Sequence, residues 1–350
     1  MMIKEIVLAI FVAAAAFGCG FSGNVSENGS RQKPVKEPSE QVPKSDPILS
    51  RQIAEIAQEA KGKVGVYAII PETGESVGLN ENERFAMQSV VKLPISMAVL
   101  QLVDQGKLRL DETIVVAKDE LVPARMHSPF RDKNPNGGEA TVEELVKLAM
   151  SVSDGTAADV LQRVAGGAEG VQAFIDPHTN GSMKVKYTHK EFSNDNERQF
   201  ENWATPRAAT ELLIALRSAA GSERSDTYAP LSGISEQSAK LLLQFMAETP
   251  TGPNRLKGLL PPGTAVAHKT GTSGTRDGIT FATNDVGIIT MPNGDHIVIA
   301  VFVGSSPADE KTREAVIARI AKAVFDRWSG GSRIGETAGG ANLWISMKKA

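Results

Sequence analysis

Apolar positions along this chain recur with two periods, and the period changes twice. Leu49, Ile53, Ile56 and Ala60 return at helical spacing, which predicts an amphipathic helix over 48–61. Val64-Gly65-Val66-Tyr67-Ala68-Ile69-Ile70 is rich in β-formers and stops at Pro71-Glu72-Thr73-Gly74, a turn sequence, so a strand and a hairpin are predicted there. From about 88 to 250 the spacing is mostly helical. Thr141-Val142-Glu143-Glu144 has the form of a capping box, with the Thr141 hydroxyl accepting a backbone N–H and Glu144 reaching back. Thr205-Pro206 places a proline in the first turn of another helix. Strand patterns return from 264, and Thr280–Met291 and His296–Val303 are joined by the hairpin turn Pro292-Asn293-Gly294-Asp295. Ala308–Trp328 is a final amphipathic helix.

Strands near both ends with helices between them predict an α/β (α+β) fold. Its sheet is antiparallel and assembled from both chain ends. The first and last helices flank that sheet, and an all-helical lobe is inserted. The expected organisation is a signal peptide at 1–19, a tether at 20–47, a catalytic domain at 48–328 and a flexible tail at 329–350. Lys4 precedes an apolar run from Ile6 to Gly18 that is shorter than the ~20 residues a membrane span needs, which is the pattern of an export signal. Gly18 before Cys19 suits lipoprotein processing, whereas Ala16 and Phe17 fit it poorly, so periplasmic release and a lipid anchor at Cys19 both stay open. The segment that follows is polar and carries Pro34, Pro38, Pro43 and Pro47, too few apolar groups to offset the entropy of ordering.

Composition narrows the function. Of 350 residues, 38 are Lys or Arg and 41 are Asp or Glu, a net charge of -3, so no cationic excess is available for nucleic acid. One cysteine forms no internal disulfide or Cys-rich zinc site. The five histidines His127, His178, His189, His268 and His296 are scattered without metal-ligand spacing. No cofactor and no metal are expected.

Three short motifs carry the chemistry. Ser89-Val90-Val91-Lys92 places an amine one helical turn from a hydroxyl. S-x-x-K occurs by chance roughly once or twice in such a chain; the copies at Ser30 and Ser346 lie in the tether and the tail, and only the Ser89 copy has an apolar, helix-forming context. Pro94 falls in the first turns, where it need not break the helix, and Ser89 at the helix start would face free N–H groups that favour an oxyanion. Lys269-Thr270-Gly271-Thr272-Ser273-Gly274 follows a strand. A lysine with alternating hydroxyls there can bind a carboxylate, and Gly271 lets a ligand approach the backbone. Ser153-Asp154-Gly155 sits at the mouth of a helix, where Ser153 taken alone reads as a cap.

In this order and on these elements the motifs resemble the class A serine β-lactamases and the related penicillin-binding proteins, over about 48–328. The likeness is strongest at Thr251 to Pro261, His268 to Gly274 and Ala282 to Asp285, and there it is to the extended-spectrum branch. The resemblance implies a β-lactamase/DD-peptidase-like fold, a β-lactam substrate and a monomer. It implies Ser89 as acylated nucleophile, Lys92 as the group taking or relaying its proton, and Ser153 as proton donor to the leaving nitrogen. Backbone N–H groups of Ser89 and Thr272 would form the oxyanion hole. Lys269, Thr270, Gly271, Thr272 and Ser273 would bind the substrate, and Arg255 matches a position that supplies a carboxylate-binding arginine in some members.

Two departures stand out. The second motif usually ends in Asn, and here it ends in Gly155. The family also places a glutamate in its Ω-loop to activate the deacylating water. Ungapped alignment from Ser153 or from Asn202-Trp203 lands on His189, with Glu191 two residues on. Three readings follow: Glu191 enters the site after a local shift, His189 serves as base, or neither does and the acyl-enzyme persists. The last would make the protein a penicillin-binding D-Ala-D-Ala peptidase or slow-turnover acylated protein. Trp203, beside Asn202, is expected to anchor the loop to the body.

Overall fold

The computed structural model describes residues 44–221 and 233–330. The expected signal segment and most of the tether and of the tail lie outside the described residues; Ser329, expected in the tail, ends the last helix.

The strand His296–Ser306 explains the whole layer around it. Its run of apolar residues has no polar face because it is covered on both sides. Ile297, Ile299, Val301 and Val303 point into one core, and Val298, Ala300 and Phe302 into the other, the alternation a pleated strand imposes. It pairs antiparallel with Lys63–Ile69 on one side and Ile279–Thr290 on the other. Glu75–Leu79 extends the sheet outward from Lys63–Ile69, and Val266–Thr272 from Ile279–Thr290. Two two-residue strands complete a seven-stranded sheet; one of them, Lys44–Ser45, runs parallel to Glu75–Leu79.

One face is covered by the helices Pro47–Ala57 and Glu310–Ser329, which bury Leu49, Ile53, Val316, Ile320 and Val324 against it. Ordered structure begins ahead of residue 48. Asp46 caps the first helix by accepting the N–H groups of Ile48 and Leu49, and it also pairs with Arg327 at 2.6 Å.

The other face carries the inserted lobe. Its central helix, Lys92–Asp104, is buried at every position from Lys92 to Leu100, which is why its sequence shows little amphipathic contrast. Val142–Ser151, Gly155–Val164, Gly167–Thr179, Pro206–Ala219 and Glu236–Ala247 surround it. Among the described residues the lobe's helices are joined by two small sheets, a three-stranded patch (Phe85–Ala86, Trp203–Ala204, Met183–Lys184) and a pair (Thr113–Val116, Gly138–Thr141). The Thr141 capping box forms as expected, with Glu144 N–H to Thr141 Oγ1 at 3.2 Å and Thr141 N–H to Glu144 Oε2 at 2.8 Å.

Candidate active site

The site lies where the central helix of the lobe meets the Val266–Thr272 strand. A 3₁₀ turn, Gln88–Val91, feeds directly into Lys92–Asp104. Gln88 sits at φ 49°, a left-handed conformation unfavourable to a side chain, and presents Ser89 at the helix mouth. The strand packs closely on this turn, because a Cβ at Gly271 would come within 2.4 Å of the Met87 carbonyl oxygen. Only glycine fits there.

Lys92 is 1% exposed, and its Nζ lies 2.9 Å from Ser89 Oγ, 3.2 Å from Ser153 Oγ and 2.7 Å from the Ser153 carbonyl. All three ammonium donors therefore find acceptors without the amide that Gly155 lacks. Burial lowers the Lys92 pKa to about 8, against the opposing pull of Asp154 and Asp159. Lys269 is fully buried and approaches from the sheet, donating to Ser153 Oγ at 3.0 Å and to the Thr270 carbonyl at 2.9 Å. Burial, and then the neighbouring Lys92 charge, hold its pKa well below the usual lysine value. Ser153 is left-handed at φ 61° and lies between the two amines. It is not the helix cap. Asp154 caps Gly155–Val164 through Ala157 N–H at 2.9 Å, and also accepts from Ser128 Oγ and Phe130 N–H.

A cleft of about 470 Å³ opens over these groups. Ser89, Lys92, Ser153, Thr270, Thr272, Ser273 and Arg255 all line it, whereas Lys269 and Gly271 lie behind its surface. The Ser273 hydroxyl is tied to the neighbouring strand, accepting from Phe281 N–H and Ala282 N–H. Arg255 is held from behind by Glu314 at 3.0 Å. It donates to the Asn284 carbonyl at 3.0 Å and to Thr272 Oγ1 at 2.8 Å.

The loop beneath the cleft separates the two candidate bases. Thr188 caps the short helix His189–Asn194, and Glu191 completes a capping box by accepting from Thr188 N–H at 2.8 Å and Thr188 Oγ1 at 2.9 Å. Glu191 is exposed and does not line the cleft, so the structure does not bring it to Ser89. The reason is local: Thr188-His189-Lys190-Glu191 has the same spacing as Thr141 to Glu144. His189 does line the cleft, is 3% exposed, and its Nδ1 lies 2.9 Å from Asp159 Oδ1. Asp159 also accepts the N–H groups of His189 and Lys190 at 2.7 and 2.8 Å, which pins the start of this helix. Asp159 is a site residue that the sequence reading passed over. Asn202, rather than the expected Trp203, makes the hydrogen bonds that hold the loop, accepting from Lys186 and Tyr187 N–H and donating to the Tyr187 carbonyl. Arg125 ties the opposite rim to the Ser193 carbonyl.

An alcohol at a helix mouth, a buried amine of lowered pKa beside it, a second hydroxyl between two amines and a hydroxyl-bearing strand opposite are the parts of a serine hydrolase that works through an acyl-enzyme. The chain belongs to the β-lactamase enzyme family, whose sequence profile matches residues 48–328. Beta-lactamase VEB-1 of Pseudomonas aeruginosa is 37% identical to it, covering 79% of this chain and 89% of that protein. The extended-spectrum beta-lactamase PER-1 of the same organism is 37% identical over 80% and 87%. The crystal structure of a beta-lactamase from Chitinophaga pinensis DSM 2588 superimposes with a TM-score of 0.75 at 39% identity, covering 80% of this chain and 99% of that one.

Proposed function

We propose that this protein is a class A serine β-lactamase that opens the β-lactam amide through an acyl-enzyme on Ser89. The observation carrying this reading is that Lys92 Nζ reaches Ser89 Oγ at 2.9 Å and Ser153 Oγ at 3.2 Å at once. Neutral Lys92 takes the Ser89 proton as Oγ attacks the lactam carbonyl carbon. The carbonyl oxygen becomes an oxyanion facing the backbone N–H groups of Ser89 and Thr272. The C–N bond then breaks, and the nitrogen leaves with the Ser153 proton, which Lys92 restores. Thr270, Thr272 and Ser273 form the wall that meets the substrate carboxylate, Arg255 aims the Thr272 hydroxyl, and the Lys269 charge makes this wall attractive to an anion. Water then cleaves the ester.

Purified protein is expected to hydrolyse a chromogenic cephalosporin over many turnovers, and Ser89→Ala to abolish this. One stoichiometric burst followed by a stall would point instead to a penicillin-binding peptidase.

Export is inferred from residues 1–19, where a basic residue precedes a short apolar run. No helix of the described residues is long and apolar enough to cross a membrane. Fractionation of cells making the parent and Cys19→Ala separates the two forms. A lipid anchor predicts release of the Cys19→Ala protein from the membrane fraction, and a soluble periplasmic enzyme predicts no difference. A monomer is the expected state.

A further inference from the structure

We propose that Asp159 and His189 form the dyad that activates the deacylating water, with His189 as base and Asp159 as positioning residue. This rests on the serine β-lactamase reading, since it assigns the second half of the same reaction. An ionised carboxylate only accepts hydrogen bonds, so the Asp159 contact places the proton on His189 Nδ1 and leaves a lone pair on Nε2. That Nε2 is buried and has no partner among the described residues. An unpaired buried acceptor is costly and asks for a purpose.

His268 supplies an internal comparison. It pairs through Nδ1 with Asp285 at 2.9 Å, is fully buried and also leaves Nε2 unpaired. A buried His–Asp pair is therefore not diagnostic by itself. The difference is position: His189 lines the cleft with Ser89 and Lys92, and His268 does not.

The charged groups facing the imidazole are Asp159 from the Gly155–Val164 helix, Lys92 from the central helix and Lys269 from the strand. On its own element, Lys190 is bound to the Asp119 carbonyl and Glu191 to Thr188. Burial and the two lysines lower the His189 pKa while Asp159 raises it, so the ring is neutral at pH 7. His189 Nε2 takes one water proton as the water oxygen bonds to the ester carbon. The resulting oxyanion collapses, the carbon–Oγ bond breaks, and the proton returns from Nε2 to Ser89 Oγ. Acid and free serine result, with no co-reactant but water.

Acylation and hydrolysis are measured separately, by intact mass of the Ser89 adduct and by steady-state turnover of a cephalosporin. His189→Gln and His189→Ala are expected to acylate, to accumulate the adduct and to turn over ~10²–10⁴-fold more slowly. Imidazole in the buffer should restore turnover to His189→Ala. Asp159→Asn should slow hydrolysis and move its acid limb to lower pH, because the anion that raises the His189 pKa is gone; loss of structure alone would not move that limb. The acid limb of the unaltered protein needs no variant, and it should persist in Glu191→Gln. Adduct accumulation in Glu191→Gln, parent turnover in His189→Gln, or an unmoved limb in Asp159→Asn overturns the dyad. Absence of any Ser89 adduct in the unaltered protein overturns the serine reading instead.

Discussion

Lys269 Nζ donates to Ser153 Oγ at 3.0 Å, joining the sheet wall of the cleft to the helical lobe. In the proposed mechanism Lys269 has two jobs, holding the Ser153 hydroxyl and supplying positive charge behind the anion-binding wall. Lys269→Ala is expected to lower kcat/KM by ~10²–10³-fold, with both terms affected, because orientation and electrostatic stabilisation are lost together. Steady-state kinetics on a cephalosporin check this. A change in KM alone would confine Lys269 to substrate binding.

Acylation should follow the protonation of Lys92. With a pKa of about 8, only about a tenth of the molecules carry the neutral amine at pH 7. The base form grows as pH rises, so the acylation rate should climb to about pH 8 and then level. Lys92→Arg, which stays charged throughout this range, should lose ~10³-fold in acylation without such a limb. Pre-steady-state bursts at a series of pH values measure both.

Arg255 bridges Glu314 and Thr272 in a nearly closed site, its guanidinium held by the Asn284 carbonyl between them. Arg255→Ala removes the cation from a mostly buried carboxylate, leaving it only the Asn254 amide, and should cost about 3 kcal/mol in urea unfolding. It should also raise KM. Arg255→Lys is expected to recover little, since one ammonium cannot replace a planar fork that reaches partners in several directions.

Asp154 is fully buried and accepts from Ala157 N–H, Phe130 N–H and Ser128 Oγ. Asp154→Ala strips a helix cap, leaves the Phe130 N–H without an acceptor and leaves the Ser128 hydroxyl only Thr156, with an expected loss of about 3 kcal/mol. Thermal unfolding checks this; a loss under about 1 kcal/mol would mean that other groups hold the cleft rim.

Legibility in the sequence followed the length of the pattern. The long strands Ile279–Thr290 and His296–Ser306 and the helix Glu310–Ser329 were readable because periodicity has room to show itself there. Two-residue strands such as Phe85–Ala86 and Lys44–Ser45 carry no period, and tertiary pairing alone creates them. Ser89, Lys92, Ser153 and Lys269 were legible as motifs, and the fold brings them together. Two local sequence signals bear on the helix mouth and the loop. Asp154 rather than Ser153 is the better-placed cap for a helix starting at Gly155, and Thr188-His189-Lys190-Glu191 has the capping-box spacing read correctly at Thr141. Asp159 was not legible, because its meeting with His189 joins residues 30 positions apart through packing alone.

Rapid mixing with a penicillin, acid quench within milliseconds and peptide mapping test the central claim most directly. A covalent adduct of the full penicillin mass is expected on the peptide carrying Ser89, its formation strongly slowed in Lys92→Ala. An adduct on another residue, or continued hydrolysis by Ser89→Ala, would contradict it.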